Sequence, residues 1–258
     1  MTDDGLLELA VGIAVEAGDL LLERFRSDAT GIETKSTPTD LVSDADRDSE
    51  ALVLDRIREA RPDDGLIAEE SDEQISRSGF TWIIDPLDGT VNFLFRIPVW
   101  GVSIAVHDSE GPLIGVVHDP NQNETFSARR GLGTKLNGGA VTVSSREDLS
   151  TALVGTGFSY DARTRKAQAE RILRVLPRVR DVRRAGSAAI DLASLACGRL
   201  DGFYEAPMKL WDRAAGEILI SEAGGVVTSL SDPFSEDDGV IASGPNLHGE
   251  LKTLVLGG

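Results

Sequence analysis

Two aspartates, Asp85 and Asp88, stand three residues apart in "WIIDPLDGTVNF" (residues 82–93), where an apolar run ends. Pro86 fixes one backbone dihedral and removes an amide donor. With Gly89 it prescribes a tight turn after a strand. Across that turn both carboxylates are expected to converge on one point, with the Leu87 carbonyl between them. Carboxylates a few ångströms apart resist joint ionisation, so either one holds a proton or a cation sits between them. Hard divalent cations such as Mg²⁺ take oxygen ligands of this kind. The three histidines, His107, His118 and His248, are scattered, which speaks against zinc.

Further acids fall at the ends of predicted elements. Glu69 and Glu70 follow "LIA", Asp44 and Asp46 lie in "LVSDAD", and Asp212 opens "WDRAAG". Asp44 and Asp212 admit a second reading, because aspartate is an ordinary helix N-cap. Glu69 and Glu70, taken alone, also read as surface acids. Asn92 reads as a turn side chain closing on its own backbone. The D-x-x-D spacing, with proline after the first acid, excludes a haloacid-dehalogenase-type phosphatase, which needs D-x-D and a covalent aspartyl phosphate.

These acids need elements to position them. Apolar residues at Leu6, Leu9, Ile13, Ala17, Leu20 and Leu21 repeat with helical spacing, predicting a helix over 6–26. A second helix is expected from about Asp44 to Ala60, ended by "RPDDG". "LIAEES" and "TWIID" read as strands running into acids. "VWGVSIAVHD" and "PLIGVVHDP" bracket "SEG" as a hairpin. "ETFSAR" and "AVTVSS" read as further strands. Beyond residue 150 strands and helices alternate: strands at "ALVGTGF", "VRDVR", "LDGFYE", "GVVTSL" and "GVIASG", helices at "DARTRKAQAERILRVL", "SAAIDLASLA", "WDRAAGEILISEA" and Pro245–Leu256. The change of character divides the chain into an N-terminal α+β part, 1–148, and a C-terminal α/β part, 149–258.

The bulk composition narrows the class. The chain has 258 residues, 41% hydrophobic, enough for a sizeable core. It carries 43 acids against 26 bases, a net charge of −17. That argues against nucleic acid or an anionic membrane as partner. Five of the bases are lysines, leaving 21 arginines. Acid-rich, lysine-poor composition points to a halophilic source; an ordinary acidic protein from a high-GC genome is the alternative. No apolar run approaches the roughly 18 residues of a membrane span, and the acidic N-terminus does not read as a signal peptide. The single cysteine, Cys197, excludes an internal disulfide framework. The expected compartment is the cytoplasm. An anionic substrate would be repelled by this surface, so a cation must wait inside the site.

The motifs resemble those of the inositol monophosphatases, within a superfamily of lithium-sensitive, Mg²⁺-dependent phosphatases that also holds fructose-1,6-bisphosphatases and nucleotide 3′-phosphatases. "WIIDPLDGTVNF" matches the family hallmark throughout, and "WDRAAGEILISEAGG" its second signature. "AEES" is similar to the family's "GEES", with Ala68 where glycine is usual. "KSTPTDLVSDAD" is similar to its lysine loop and acid. The resemblance covers almost the whole chain.

It implies an α+β fold, a layered α-β-α-β-α sandwich, usually a homodimer. It implies that Glu69, Asp85 and the Leu87 carbonyl hold one Mg²⁺, and that Asp85, Asp88 and Asp212 hold a second. Asp46 with Glu69 would reach a third through water. Thr90 would orient the attacking water, so Thr90, Glu69 and Asp46 form the implied catalytic set. Gly89 and Thr90 amides would meet the phosphate. Gly186, Ser187 and Ala188 would open a helix whose N–H groups face the ligand, and Glu205 would bind polyol hydroxyls beside Asp212. The implied activity is Mg²⁺-dependent hydrolysis of polyol monophosphates of the inositol 1-phosphate type. The alternative is fructose 1,6-bisphosphate, alone or in addition, with 3′-phosphoadenosine 5′-phosphate behind both. Lys209, Arg183 and Arg184 are the residues that could meet a second phosphate. A sensor of polyol phosphates on the same fold would be free to lose Thr90 or a ligand, and none is missing.

Overall fold

The computed structural model describes residues 2–27, 30–34 and 41–257. Lys35–Asp40 of the predicted lysine loop lie outside them. Helix α1 (Asp3–Arg26) starts where the Thr2 hydroxyl accepts from Gly5 N at 3.3 Å. Asp3 and Asp4 in its first turn and Arg24 and Arg26 in its last suit the helix dipole. Its stripe of Leu6, Ala10, Ile13, Ala14, Ala17 and Leu21 is buried. A two-stranded pair, β1 (Glu33–Thr34) and β2 (Leu41–Val42), precedes α2 (Asp44–Ala60).

Helices α1 and α2 cover one face of a seven-stranded sheet. Its strands lie side by side in chain order: β3 (Gly65–Ala68), β4 (Thr81–Asp88), β5 (Gly101–Asp108), β6 (Gly111–Asp119), β7 (Glu124–Arg129), β8 (Thr134–Leu136) and β9 (Gly139–Val141). Only β3 and β4 run parallel. The short helix α3 (Thr90–Leu94) follows β4. The second sheet has the order β11 (Asp181–Arg183), β10 (Leu153–Thr156), β12 (Gly202–Glu205), β14 (Gly239–Ser243), β13 (Val226–Leu230). Its first three strands are parallel and its last two antiparallel.

Alternation along the strands explains the layering. Trp82, Ile84, Ile104 and Val106 point to α1 and α2, whereas Ile83, Ala105 and Val117 point to α5 (Ala188–Ala196) and α6 (Leu210–Glu222). The other side of α5 and α6 meets Phe203, Val240 and Ala242 of the second sheet. That sheet's far face, through Val154, Tyr204 and Ile241, meets Val175 of α4 (Ala162–Val175) and Leu247, Leu251 and Val255 of α7 (Pro245–Leu256). The result is the expected α-β-α-β-α sandwich. Both sheets are buried on two faces, which is why "TWII" reads as a continuous apolar run. Each such fully buried side chain contributes roughly 1.5–3 kcal/mol.

Two strand expectations are corrected. "AVTVSS" is a strand only as far as Val141; beyond it Val143 N bonds Ala223 O at 3.1 Å and the chain leaves the sheet. The unpredicted β8 lies in "GLGTKLNG", where glycines mask a period of two. Among the described residues no helix is long and apolar enough to cross a membrane.

Candidate active site

The turn after β4 is built as a bulge. Asp85 pairs with Ser103 and Asp88 with Gly101, so β4 uses one residue more than β5 over the same interval. Leu87 N donates to Asp85 Oδ1 at 3.0 Å, closing the turn. Gly89 then takes φ +99°, and a Cβ there would lie 3.0 Å from Val99 O. Glycine satisfies both constraints.

Helix α2 clamps this turn from below. Ser43 is its N-cap, donating through N (2.9 Å) and Oγ (2.6 Å) to Asp46 Oδ2. The other oxygen, Asp46 Oδ1, accepts from Thr90 Oγ1 at 2.8 Å; that hydroxyl also lies 3.1 Å from Leu87 O. Ser49 Oγ donates to Pro86 O at 2.8 Å. Glu50 accepts from Glu70 N at 2.8 Å and from the Ser71 hydroxyl, holding the segment that follows β3. Asp46, Ser49 and Glu50 share one buried helix face at i, i+3, i+4 spacing. Ser49 and Glu50 escaped the sequence reading; their period from Asp46 was the available signal.

The C-terminal half closes the site from the other side. Asp88 Oδ2 accepts from Ser187 Oγ and from Ala189 N, both at 2.6 Å. Gly186 takes φ +102°, and Ser187 caps α5. The amide of Ala189, in the first turn of α5, is thereby spent on Asp88. The Glu205 carboxylate lies over Gly157, 2.0 Å from where a Cβ would be, so a larger residue there would displace it. Asp212 is the third residue of α6; Lys209 is its N-cap and donates N–H to Asp212 Oδ2 at 2.7 Å. Neither Asp212 nor Asp44 is therefore an N-cap. Asp44 instead pairs with Arg47 at 2.9 Å.

These elements surround one cavity of about 420 Å³. Every predicted site residue except Asp46 lines it: Glu69, Asp85, Leu87, Asp88, Gly89, Thr90, Gly186, Ser187, Ala188, Glu205 and Asp212. Asp46, 1% exposed, reaches the cavity only through Thr90. The sequence reading missed Asp191 on the wall and the 156–161 segment opposite. Asp191 falls four residues after Ser187, a helical step that carried a signal. Lys209 is held by Asp237 at 2.6 Å. Arg183 pairs with Asp181. Arg184 lines the cavity without a salt-bridge partner among the described residues.

The electrostatics match the crowding. Burial, then the charges of Glu69, Asp88 and Asp212, push the Asp85 carboxyl well above its ordinary range. Burial, then Asp88 and Glu69, do the same to Asp212. Burial also raises Asp88, against the hydrogen bonds from Ser187, Ala189 and Ala188 and the charge of Arg184. Burial, with Asp212 as the next cause, lifts Glu205 to about 8; burial, with Asp88 next, lifts Asp191 to about 7. Among the described residues no three acidic, imidazole or thiol groups close around one point to hold an ion. The predicted acids Glu69, Asp85, Asp88 and Asp212 share the one cavity. The donor set still fits a hard divalent cation. It is all oxygen, and backbone N–H groups tie one oxygen each of Asp85, Asp88 and Asp212.

The comparisons with known proteins agree with this geometry. The sequence model of the inositol monophosphatase family matches residues 3–256. The Inositol-1-monophosphatase SuhB of Mycobacterium tuberculosis (strain H37Rv) is 42% identical over 231 residues, 85% of this chain and 79% of that protein. The Nus factor SuhB of Escherichia coli K12 is 39% identical over 228 residues, 88% and 85% of the two chains. The crystal structure of extragenic suppressor protein SuhB from Bartonella henselae superposes with a TM-score of 0.91 at 34% identity, covering 97% of this chain and 98% of that one. With the family model spanning nearly every residue and the layered fold shared, the chain belongs to the inositol monophosphatase family of phosphatases.

Proposed function

We propose that this protein is a Mg²⁺-dependent phosphomonoesterase acting on polyol monophosphates of the inositol 1-phosphate type. The observation that carries the reading is one cavity lined by Glu69, Asp85, Asp88 and Asp212, in which burial and then the neighbouring charges push the carboxyls of Asp85 and Asp212 well above their ordinary range. Glu69, Asp85 and the Leu87 carbonyl would hold one Mg²⁺; Asp85, Asp88 and Asp212 a second; Asp46 with Glu69 a third through water. Bound there, Mg²⁺ supplies positive charge for the phosphate oxygens and a lowered pKa for water.

The chain's own groups do the rest. The Thr90 proton points to Asp46 Oδ1 or Leu87 O, so its oxygen keeps lone pairs for a water and orients it. Asp46 is itself fixed by Ser43, which keeps Thr90 in that rotamer. The Gly89 and Thr90 amides would meet the phosphate at the turn. Glu205, buried beside the cavity, would hydrogen-bond substrate hydroxyls, with Gly186, Ser187 and Ala188 along the opposite edge. The pairing of Lys209 with Asp237 supports one phosphate over two. The name of the M. tuberculosis relative supports inositol as the polyol.

Arg184 favours a second reading, fructose 1,6-bisphosphate as an additional substrate, because it brings to the cavity wall a cation with no salt-bridge partner among the described residues. Parallel turnover of inositol 1-phosphate, fructose 1,6-bisphosphate and 3′-phosphoadenosine 5′-phosphate, with Mg²⁺ and with EDTA, tests both. Inositol 1-phosphate hydrolysis abolished by EDTA is the expected result. No turnover of any phosphomonoester, or turnover indifferent to EDTA, overturns the reading.

We infer further a cytoplasmic, homodimeric enzyme from a halophile, with its chain divided after residue 148. The net charge of −17 supports the salt-loving source and the exclusion of nucleic acid and anionic membrane as partners. Strands confined to residues 65–141 in one sheet and 153–243 in the other support the division.

A further inference from the structure

Asn92 does something its place in the turn motif does not suggest. It sits in the middle of α3, two residues after Thr90, and is 6% exposed. The sequence reading has it closing on its own backbone. Instead its Nδ2 donates to Val99 O at 2.8 Å and to Ala185 O at 2.9 Å, the latter 93 residues away. Both acceptors are carbonyls, so only an NH₂ group satisfies them, and both its protons are used.

The second bond reaches the loop of Arg184–Ser187. That loop leads into α5, whose start is otherwise tied to the acid turn through Asp88, by Ser187 Oγ and Ala189 N on the same oxygen. Gly186 packs directly on the amide: a Cβ there would lie 2.7 Å from Asn92 Nδ2. The contact is therefore close-packed as well as hydrogen-bonded. Without it, among the described residues, the loop's polar tie to the turn near Gly186 would be an acid that the proposed metal site also requires.

We propose that Asn92 is a positioning residue that sets the register of the Ala185–Ser187 loop, and so of the substrate edge of the cavity, against the Asp85–Thr90 turn. This rests on the phosphatase reading above only for its kinetic arm. It acts on substrate binding through the loop, while the α2 clamp on Thr90 and Pro86 stays intact.

The test is Asn92→Leu, which keeps the branched side-chain shape and removes both donors. Michaelis constants are measured with inositol 1-phosphate, and backbone hydrogen exchange is followed at 185–189 and in β4–β6. Two lost hydrogen bonds predict KM raised roughly tenfold with kcat changed less than about threefold. Exchange at Gly186 and Ser187 should quicken by about tenfold or more, while β4–β6 stay as in the parent. Unchanged KM and unchanged loop exchange in the folded variant overturn the proposal. So does faster exchange spread evenly over loop and sheet, which marks a merely structural residue. If the parent protein hydrolyses no phosphomonoester, the functional reading fails, and the exchange arm alone decides the role of Asn92. Should Asn92→Leu not fold, Asn92→Ser, which cannot span both carbonyls, is read by the same criteria.

Discussion

The two walls of the cavity are built differently. The wall from β4, α3 and α2 is held by two local bonds, Asp85 to Leu87 and Ser43 to Asp46, and by two that join α2 to the turn after β4 within the N-terminal part, Thr90 to Asp46 and Ser49 to Pro86. The wall from the second sheet is held by bonds across about a hundred residues: Ser187 and Ala189 to Asp88, Asn92 to Ala185. In the proposed reading the first wall carries most groups of the chemistry, on a bulge and a capped helix. The second would carry the groups that meet the rest of the substrate, on a loop beginning with an exposed arginine. Rigid reaction groups facing a separately anchored recognition edge let substrate choice vary without moving the reacting centre.

The largest expected effect breaks the first wall. Asp88→Asn keeps an acceptor for Ser187 and Ala189 but removes a charge, and should lower kcat by about a thousandfold or more in a folded protein. Circular dichroism checks the fold, and near-normal turnover would refute the assignment. Thr90→Ala removes the water-orienting hydroxyl and should lower kcat about a hundredfold, with KM little changed. Steady-state kinetics separate the two.

The pH dependence probes both walls together. Glu205 is raised to about 8 and Asp191 to about 7. Between the ordinary carboxylate range and those values the folded chain holds protons that the unfolded chain has released. The metal-free fold therefore loses stability as pH rises through that window. In EDTA, calorimetry should find a Tm lower by several degrees at about pH 8 than at about pH 5.5. Excess Mg²⁺ should raise Tm more at the higher pH, where carboxylates are free of protons.

The smallest effect sharpens the second wall. Arg184→Ala should lower the ratio of fructose 1,6-bisphosphate to inositol 1-phosphate kcat/KM about fivefold, the worth of one exposed charge contact. An unchanged ratio removes the second-substrate reading and leaves the first untouched.

Legibility in the sequence followed the same division. α2 and α7 fall on the predicted residues because their caps, "VSDAD" and the Gly-Pro before Asn246, are local signals. The acid turn was read because proline, glycine and two aspartates leave few backbone solutions. β8 was hidden by its glycines. Glu50 and Asp191 were not singled out in the sequence, because their burial depends on strands far away in the chain. Lys209 and Arg184 looked equivalent in sequence; Asp237, 28 residues on from Lys209, sets that lysine apart by pairing with it.

From the sequence alone came the α+β class, the acids and the turn that brings Asp85 and Asp88 to one edge, because covalent spacing and backbone sterics act over a few residues. The tertiary structure decided which acids share a cavity, that Asp46 acts from behind Thr90, and that Asn92 ties the two halves. Those facts depend on which distant groups are desolvated together, and burial belongs to the packed sheets rather than to any local stretch of chain.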